Sequence, residues 1–222
     1  MSKMKWDQTG ERTYETGVEQ CALFPQDASG AYPLGVPWNG ISNITESPSG
    51  AEPTKLYAND KVYATMTSAE ELGGTIEAYT FPDEWAECDG SATVVAGVRI
   101  GQQTRKAFGL AYKTLIGNDV QGTKYGYKLH LVWGGLASPS EKAHATVNDS
   151  PEAQTMSWEY TTTPVDVAGY EPAASMEFDS TTIDADKMAA LETIIYGSES
   201  EEPRLPMPDE IITLMKGEVA AG

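Results

Sequence analysis

The chain has 222 residues, with 40% apolar and 22% charged residues, five Trp and eleven Tyr. That is globular composition, too aromatic for a disordered chain and long enough for one sizeable domain. A formal net charge of −18 argues against affinity for nucleic acid or anionic lipid, which requires Lys and Arg to displace counterions.

Met1 to Trp6 carries two Lys with no apolar run behind them, so no signal peptide is expected, and no apolar stretch approaches a membrane span. Synthesis in a cytoplasm is the expectation. Cys21 and Cys88 are too few and too distant to suggest a disulfide framework and read as packed, reduced thiols.

Along the chain the dominant hydrophobic period is two, the mark of strands with one buried face. Val18 to Phe24 is a weak strand run, and Gln26 to Pro37 is a long excursion rich in Gly, Pro, Ala and Asp. Trp38 to Ile44 reads as a short strand, and Trp38 as either a core residue or an interface anchor. A second excursion covers Glu46 to Pro53. Excursions of this kind in a compact domain are usually functional or ordered by a partner.

Strand patterns follow at Lys61 to Met66 and Thr75 to Phe81, then a helical turn at Pro82 to Cys88 and a further strand run at Ala92 to Gly101. Thr104 to Leu115 divides by size. Lys106, Phe108, Leu110 and Tyr112 share one face; Arg105, Ala107, Gly109, Ala111 and Lys113 share the other. So small a second face invites close approach by another backbone or sheet, in a packed or assembled surface.

Tyr125 to Gly134 is the clearest strand, with Tyr125, Tyr127, Leu129, Leu131 and Trp133 alternating against Lys128, His130 and Val132. Ser138-Pro139 and Asn148 to Pro151 are turn signals, and Gln154 to Thr163 and Ala174 to Asp179 are strand runs. Asp184 then caps a helix whose stripe is Met188, Leu191 and Ile195 and which Gly197 ends. Ser198 to Pro208 reads as an extended acidic arm, and Asp209 to Met215 as either a short helix or a strand. One mainly antiparallel β domain with one well-signalled helix at about 184–196 is the expected organisation.

Chemistry is not signalled. His130 and His144 stand apart from any Cys or second His, there is no phosphate loop or nucleophile elbow, and Asp179, Asp184 and Asp186 lack the spacing of a calcium loop. No catalytic, cofactor-binding or metal residue is assigned, and no enzymatic activity is expected. Charge is unevenly spread, however. Arg99 to Thr146 holds seven basic residues against two acidic ones, a local +5 that leaves −23 elsewhere. Such a segment is either a solvated face or one half of a contact with another copy.

Several phrases resemble the major tail protein (tail tube protein) family of long-tailed, non-contractile bacteriophages: Tyr14-Glu-Thr-Gly-Val, Gly35-Val-Pro-Trp-Asn-Gly, Thr45-Glu-Ser-Pro-Ser-Gly-Ala-Glu-Pro, Thr75-Ile-Glu-Ala-Tyr-Thr-Phe-Pro-Asp-Glu, Glu87-Cys-Asp-Gly and Arg99-Ile-Gly-Gln-Gln-Thr-Arg-Lys. Gly117-Asn-Asp, Ser138-Pro-Ser-Glu-Lys, Asn148-Asp-Ser-Pro-Glu-Ala and Leu205-Pro-Met-Pro-Asp-Glu continue it in order across nearly the whole chain. The resemblance implies a virion protein of the tail-tube fold, a β-sandwich or partial barrel with one flanking helix (about 184–196). Six copies would close into rings that stack into a hollow tube, contacting tape measure, terminator and distal tail proteins, with DNA passing through the lumen without specific binding. Some relatives add a C-terminal immunoglobulin-like domain, which is not expected here. Trp38, Arg105, Lys106 and Lys113 are the candidate interface residues, since uniformly negative subunits would repel. The alternative is a monomeric β-sandwich module that binds a receptor or carbohydrate.

Overall fold

The structure, a computed structural model, describes residues 3–144, 146 and 153–217. In chain order its elements are β1 (Thr13–Pro25), β2 (Val36–Pro37), β3 (Ile41–Glu46), β4 (Ser49–Gly50), β5 (Thr54–Ala58), β6 (Lys61–Met66), β7 (Glu70–Glu71) and β8 (Gly73–Ala78). There follow α1 (Trp85–Cys88), β9 (Ala92–Val95), β10 (Val98–Ile100), β11 (Phe108–Asn118), β12 (Gly122–Ala137), β13 (Met156–Thr162), β14 (Ser175–Asp179), α2 (Ala185–Tyr196) and α3 (Pro208–Lys216). The fold is mainly β, with one large antiparallel sheet and few helices.

That sheet runs β2-β1-β11-β12-β13-β8-β3, with β14 also on β12. The long strand β12 makes this branching possible. Lys128 to Val132 pair with β14, whereas Gly135 to Ala137 pair with β13. Between them Gly134 sits at φ +63°, and a Cβ there would collide with the backbone of Thr163. Only glycine permits this corner. The corner divides the sheet into two layers, β1-β11-β12-β14 and β13-β8-β3.

Period-two alternation then determines two cores. On one face of the first layer Leu23, Phe108, Leu110, Tyr112 and Val132 meet Ile76, Trp158 and Tyr160 of the second. Trp85 fills the centre, its ring 4.6 Å from Trp38, 5.0 Å from Phe108 and 5.6 Å from Trp158. On the opposite face Ala111, Leu129, Leu131 and Trp133 pack with Met188, Leu191 and Ile195 of α2. Burying each of those three helix side chains stabilises by about 1.5–3 kcal/mol. As the sequence predicts, the Asp184 carboxylate caps α2 by accepting from the Asp186 and Lys187 amides.

Several expectations need correction. Trp38 to Ile44 is not one strand, because the chain turns at Asn39–Gly40 and separates β2 from β3. Ala92 to Gly101 is a hairpin, β9–β10, turned at Ala96–Gly97. The helix α2 is not alone: α1 confirms the turn before Cys88, and Asp209 to Met215 is helical within α3. Proline at its first position and Asp209 and Glu210 in its first turn favour that outcome. The excursion Gln26 to Pro37 is held, since Tyr32 is buried and bridges to Leu205. Leu205 is buried too, so the segment from Ser198 runs back over the sheet instead of extending as an arm. The turn signal Asn148 to Pro151 and the end of the expected C-terminal arm, 218–222, lie outside the described residues.

Candidate functional site

Among the described residues, both lateral edges of the first layer are open. Strand β1 pairs with β11 along its length, with irregularities between Thr16 and Glu19 and between Glu19 and Ala22, but on its outer side β2 reaches only Ala22 and Leu23, so Thr13 to Gln20 have no second described strand. Strand β14 pairs with β12 alone among the described strands. The order β1-β11-β12-β14 is antiparallel at every step, so β1 and β14 run in opposite directions at the two edges.

A second feature projects from the body. Ser49–Gly50 and Glu70–Glu71 form a two-residue ladder, beyond which β5 and β6 make a hairpin with hardly a buried residue. Its turn, Asn59–Asp60, has positive φ at both positions (51° and 57°), the geometry of a tight type I′ hairpin. Leu56, Tyr57, Val62, Tyr63 and Met66 are all exposed on it, Tyr63 at 78%. The β9–β10 hairpin likewise exposes Val94, Val95, Val98 and Ile100. The local pattern predicts a strand at Lys61 to Met66 but not this arm, whose hairpin signal is Tyr57-Ala-Asn-Asp-Lys-Val-Tyr63.

The structure takes the sequence-nominated contact residues one by one. Trp38 is buried in the first core and donates its indole N–H to the Thr80 carbonyl at 2.8 Å. Lys113 is buried and pairs with Glu192 of α2 at 3.0 Å. Lys106 is half-exposed and pairs with Glu87 at 3.1 Å. Arg105 is partly buried against Gly90, its Nε without a hydrogen-bond partner among the described residues. These four are not brought together. The small face of β11 is likewise occupied from within, because Gly109 receives the side chain of Leu205 and has Tyr32 beside it.

The same holds for most of the basic segment. Arg99 meets Asp83, Lys142 meets Asp89, and Lys128 bridges Glu15 at 2.9 Å and Glu177 at 3.0 Å. Hydrogen bonds donated to Glu15 and Glu177 hold the Lys128 ammonium above its ordinary pKa. Burial would raise Glu15, but donation from Thr114 and Lys128 outweighs it and leaves the carboxyl below its ordinary value. Thus five of the seven cations have partners supplied by acidic residues outside the segment.

Beside the open edge of β1 lies a groove of about 900 Å³ between Gln20–Ala22, Val36–Ile41 and α2. Burial pushes the thiol of Cys21, which lines it, up to about 12. No group of three His, Cys, Asp or Glu residues among the described residues is arranged to hold a metal ion. No helix among them is long and apolar enough to cross a membrane. No family model matches the chain, and no curated protein matches it.

Proposed function

We propose that this chain is the building block of a phage tail tube, closing into hexameric rings that stack around a DNA conduit. The observation that carries the reading is the pair of open, oppositely directed edges. When one copy is placed beside another in the same orientation, β14 of the first lies antiparallel to β1 of the second. Each addition therefore continues the alternation and leaves the same two edges, a head-to-tail contact that repeats until rotation closes the ring. Closure removes the free edges, which otherwise template aggregation.

The projecting β5–β6 hairpin supports stacking in the same way. Exposed Tyr and aliphatic residues on a narrow arm suit burial against the adjacent ring, and Tyr is a favoured interface residue. Excess negative charge suits a conduit wall, because it repels the duplex over a Debye length of roughly 8 Å at physiological salt.

Negative-stain microscopy of concentrated protein, paired with amide exchange of monomer and assembled fractions, tests this. Rings or tubes are expected, with new protection at Thr13–Gln20 and Ser175–Asp179 in the assembled fraction alone. A protein that stays monomeric at high concentration would instead favour a β-sandwich binding module.

A further inference from the structure

We infer that the groove beside β1 is the seat for the N-terminal segment of a second copy, with Met4 and Trp6 as its apolar anchors. The inference rests on the tube reading for the placement of the copies, but the groove and segment are defined independently of it.

The segment Lys3-Met-Lys-Trp6 alternates cation and apolar side chain. In an extended conformation Met4 and Trp6 therefore point to one side and Lys3 and Lys5 to the other. Both apolar residues are exposed within their own copy, Met4 at 75% and Trp6 at 71%. The groove offers what they lack. Its lining includes apolar Ala22, Val36 and Pro37 with Ile195 of α2, beside Lys113, whose charge Glu192 neutralises. Exposed acidic residues flank the lining in sequence: Glu19 precedes Gln20, and Glu199, Glu201 and Glu202 lie between Gly197 and Pro203. A segment with two lysines in a chain of net charge −18 finds its electrostatic complement there.

Placement and reach agree. The segment leaves the body at the β11–β12 turn, where the Gly10 amide donates to Asp119 at 2.9 Å and Asn118 donates to the Gly10 carbonyl. That is the Thr13 end of β1, whereas the groove lies near the Pro25 end. From Thr13 to Cys21 is eight residues of strand, about 26 Å. Trp6 stands only four residues from Gly10, at most about 14 Å of chain, so the segment cannot fill its own groove and a second copy's groove is the one it can enter.

The test uses a fluorescein-labelled peptide of the first ten residues, titrated by anisotropy into full-length protein carrying Met4→Ala and Trp6→Ala so that its own segment cannot compete. Saturable binding is expected. It should weaken about tenfold or more when the peptide carries Trp6→Ala, weaken with added salt, and disappear when the receptor also carries Ala189→Arg. Ala189 lines the groove from an exposed position on α2, so this change fills it without touching the core. A second receptor variant, Thr193→Arg, guards against a local fault at Ala189. Absence of peptide binding at millimolar concentration, or binding that both groove variants retain, overturns the inference. Tubes formed normally by the Met4→Ala/Trp6→Ala protein overturn it while leaving the tube reading intact. Peptide binding by a protein that never forms tubes sinks the tube reading but sustains the groove.

Discussion

Lys113 of β11 and Glu192 of α2 meet at 3.0 Å, with the ammonium also 4.4 Å from the Tyr127 ring centre and 5.3 Å from that of Tyr196. The Lys113 side chain is only 9% exposed. Removing one partner leaves the other charge poorly solvated, so Glu192→Gln should destabilise by about 3 kcal/mol. Replacing both, as Lys113→Met with Glu192→Leu, should restore most of that loss. Urea unfolding of the single and double variants decides it; a double variant no better than the single would mean the pair is not coupled.

Alkali should loosen the fold. Burial raises the thiols of Cys21 and Cys88 from 9.0 to about 12, and raises Tyr112 and Tyr160 as well. The folded state thus holds these protons more tightly than the unfolded state. The stability they contribute is complete below pH 9 and is lost as pH climbs toward 12, at about 1.4 kcal/mol per unit for each group that the unfolded chain releases. Denaturation midpoints should be level from pH 7 to 8.5 and fall by pH 10.5. Ellman's reagent at pH 8 should find no reactive thiol until the protein unfolds.

The pairing of cations leads to a prediction about DNA. With Lys128 clamped by Glu15 and Glu177, and Lys106 by Glu87, these ammonium groups are held back from displacing counterions, and a net charge of −18 repels the duplex. Labelled duplex should show no binding in low salt to monomer or assembled protein. Changing Glu15, Glu87 and Glu177 to Gln should create salt-sensitive affinity. Micromolar binding by the unaltered protein would contradict the proposed conduit.

Substituting Ser for Tyr57 and Tyr63 should leave folding intact, because both side chains are exposed and neither belongs to a core. The change in unfolding free energy should stay within about 0.5 kcal/mol. Stacking should suffer: rings are expected with few or no long tubes in micrographs. Tubes of normal length would remove this hairpin from the ring-to-ring contact.

Much of the body was legible because periodicity reports burial. The alternation of Leu129, Leu131 and Trp133 against Val132 predicts a strand with two different faces, and both cores use it. The cap at Asp184 and the stripe ending at Ile195 define α2 from local chemistry alone. The candidate surfaces were less legible. Which carboxylate satisfies Lys113 depends on α2 crossing β11, a contact 79 residues distant in sequence that no local pattern encodes. Basic residues that look available in the sequence are therefore taken up by their own chain. The β5–β6 arm was overlooked for the opposite reason: lacking a buried face, its strands carry little period-two contrast, and only Asn59–Asp60 marks them.

The narrowness of the stalk under that arm bears on the mechanics of the proposed tube. Only two residues on each side tie β4 to β7, and Gly50 sits there at φ +82°. In the proposed tube, with rings gripped partly through such arms, a ring would tilt on its neighbour by flexing stalks while the sheet edges within each ring stay paired. Curvature of that filament would be taken up between rings and would leave the bore of each ring unchanged.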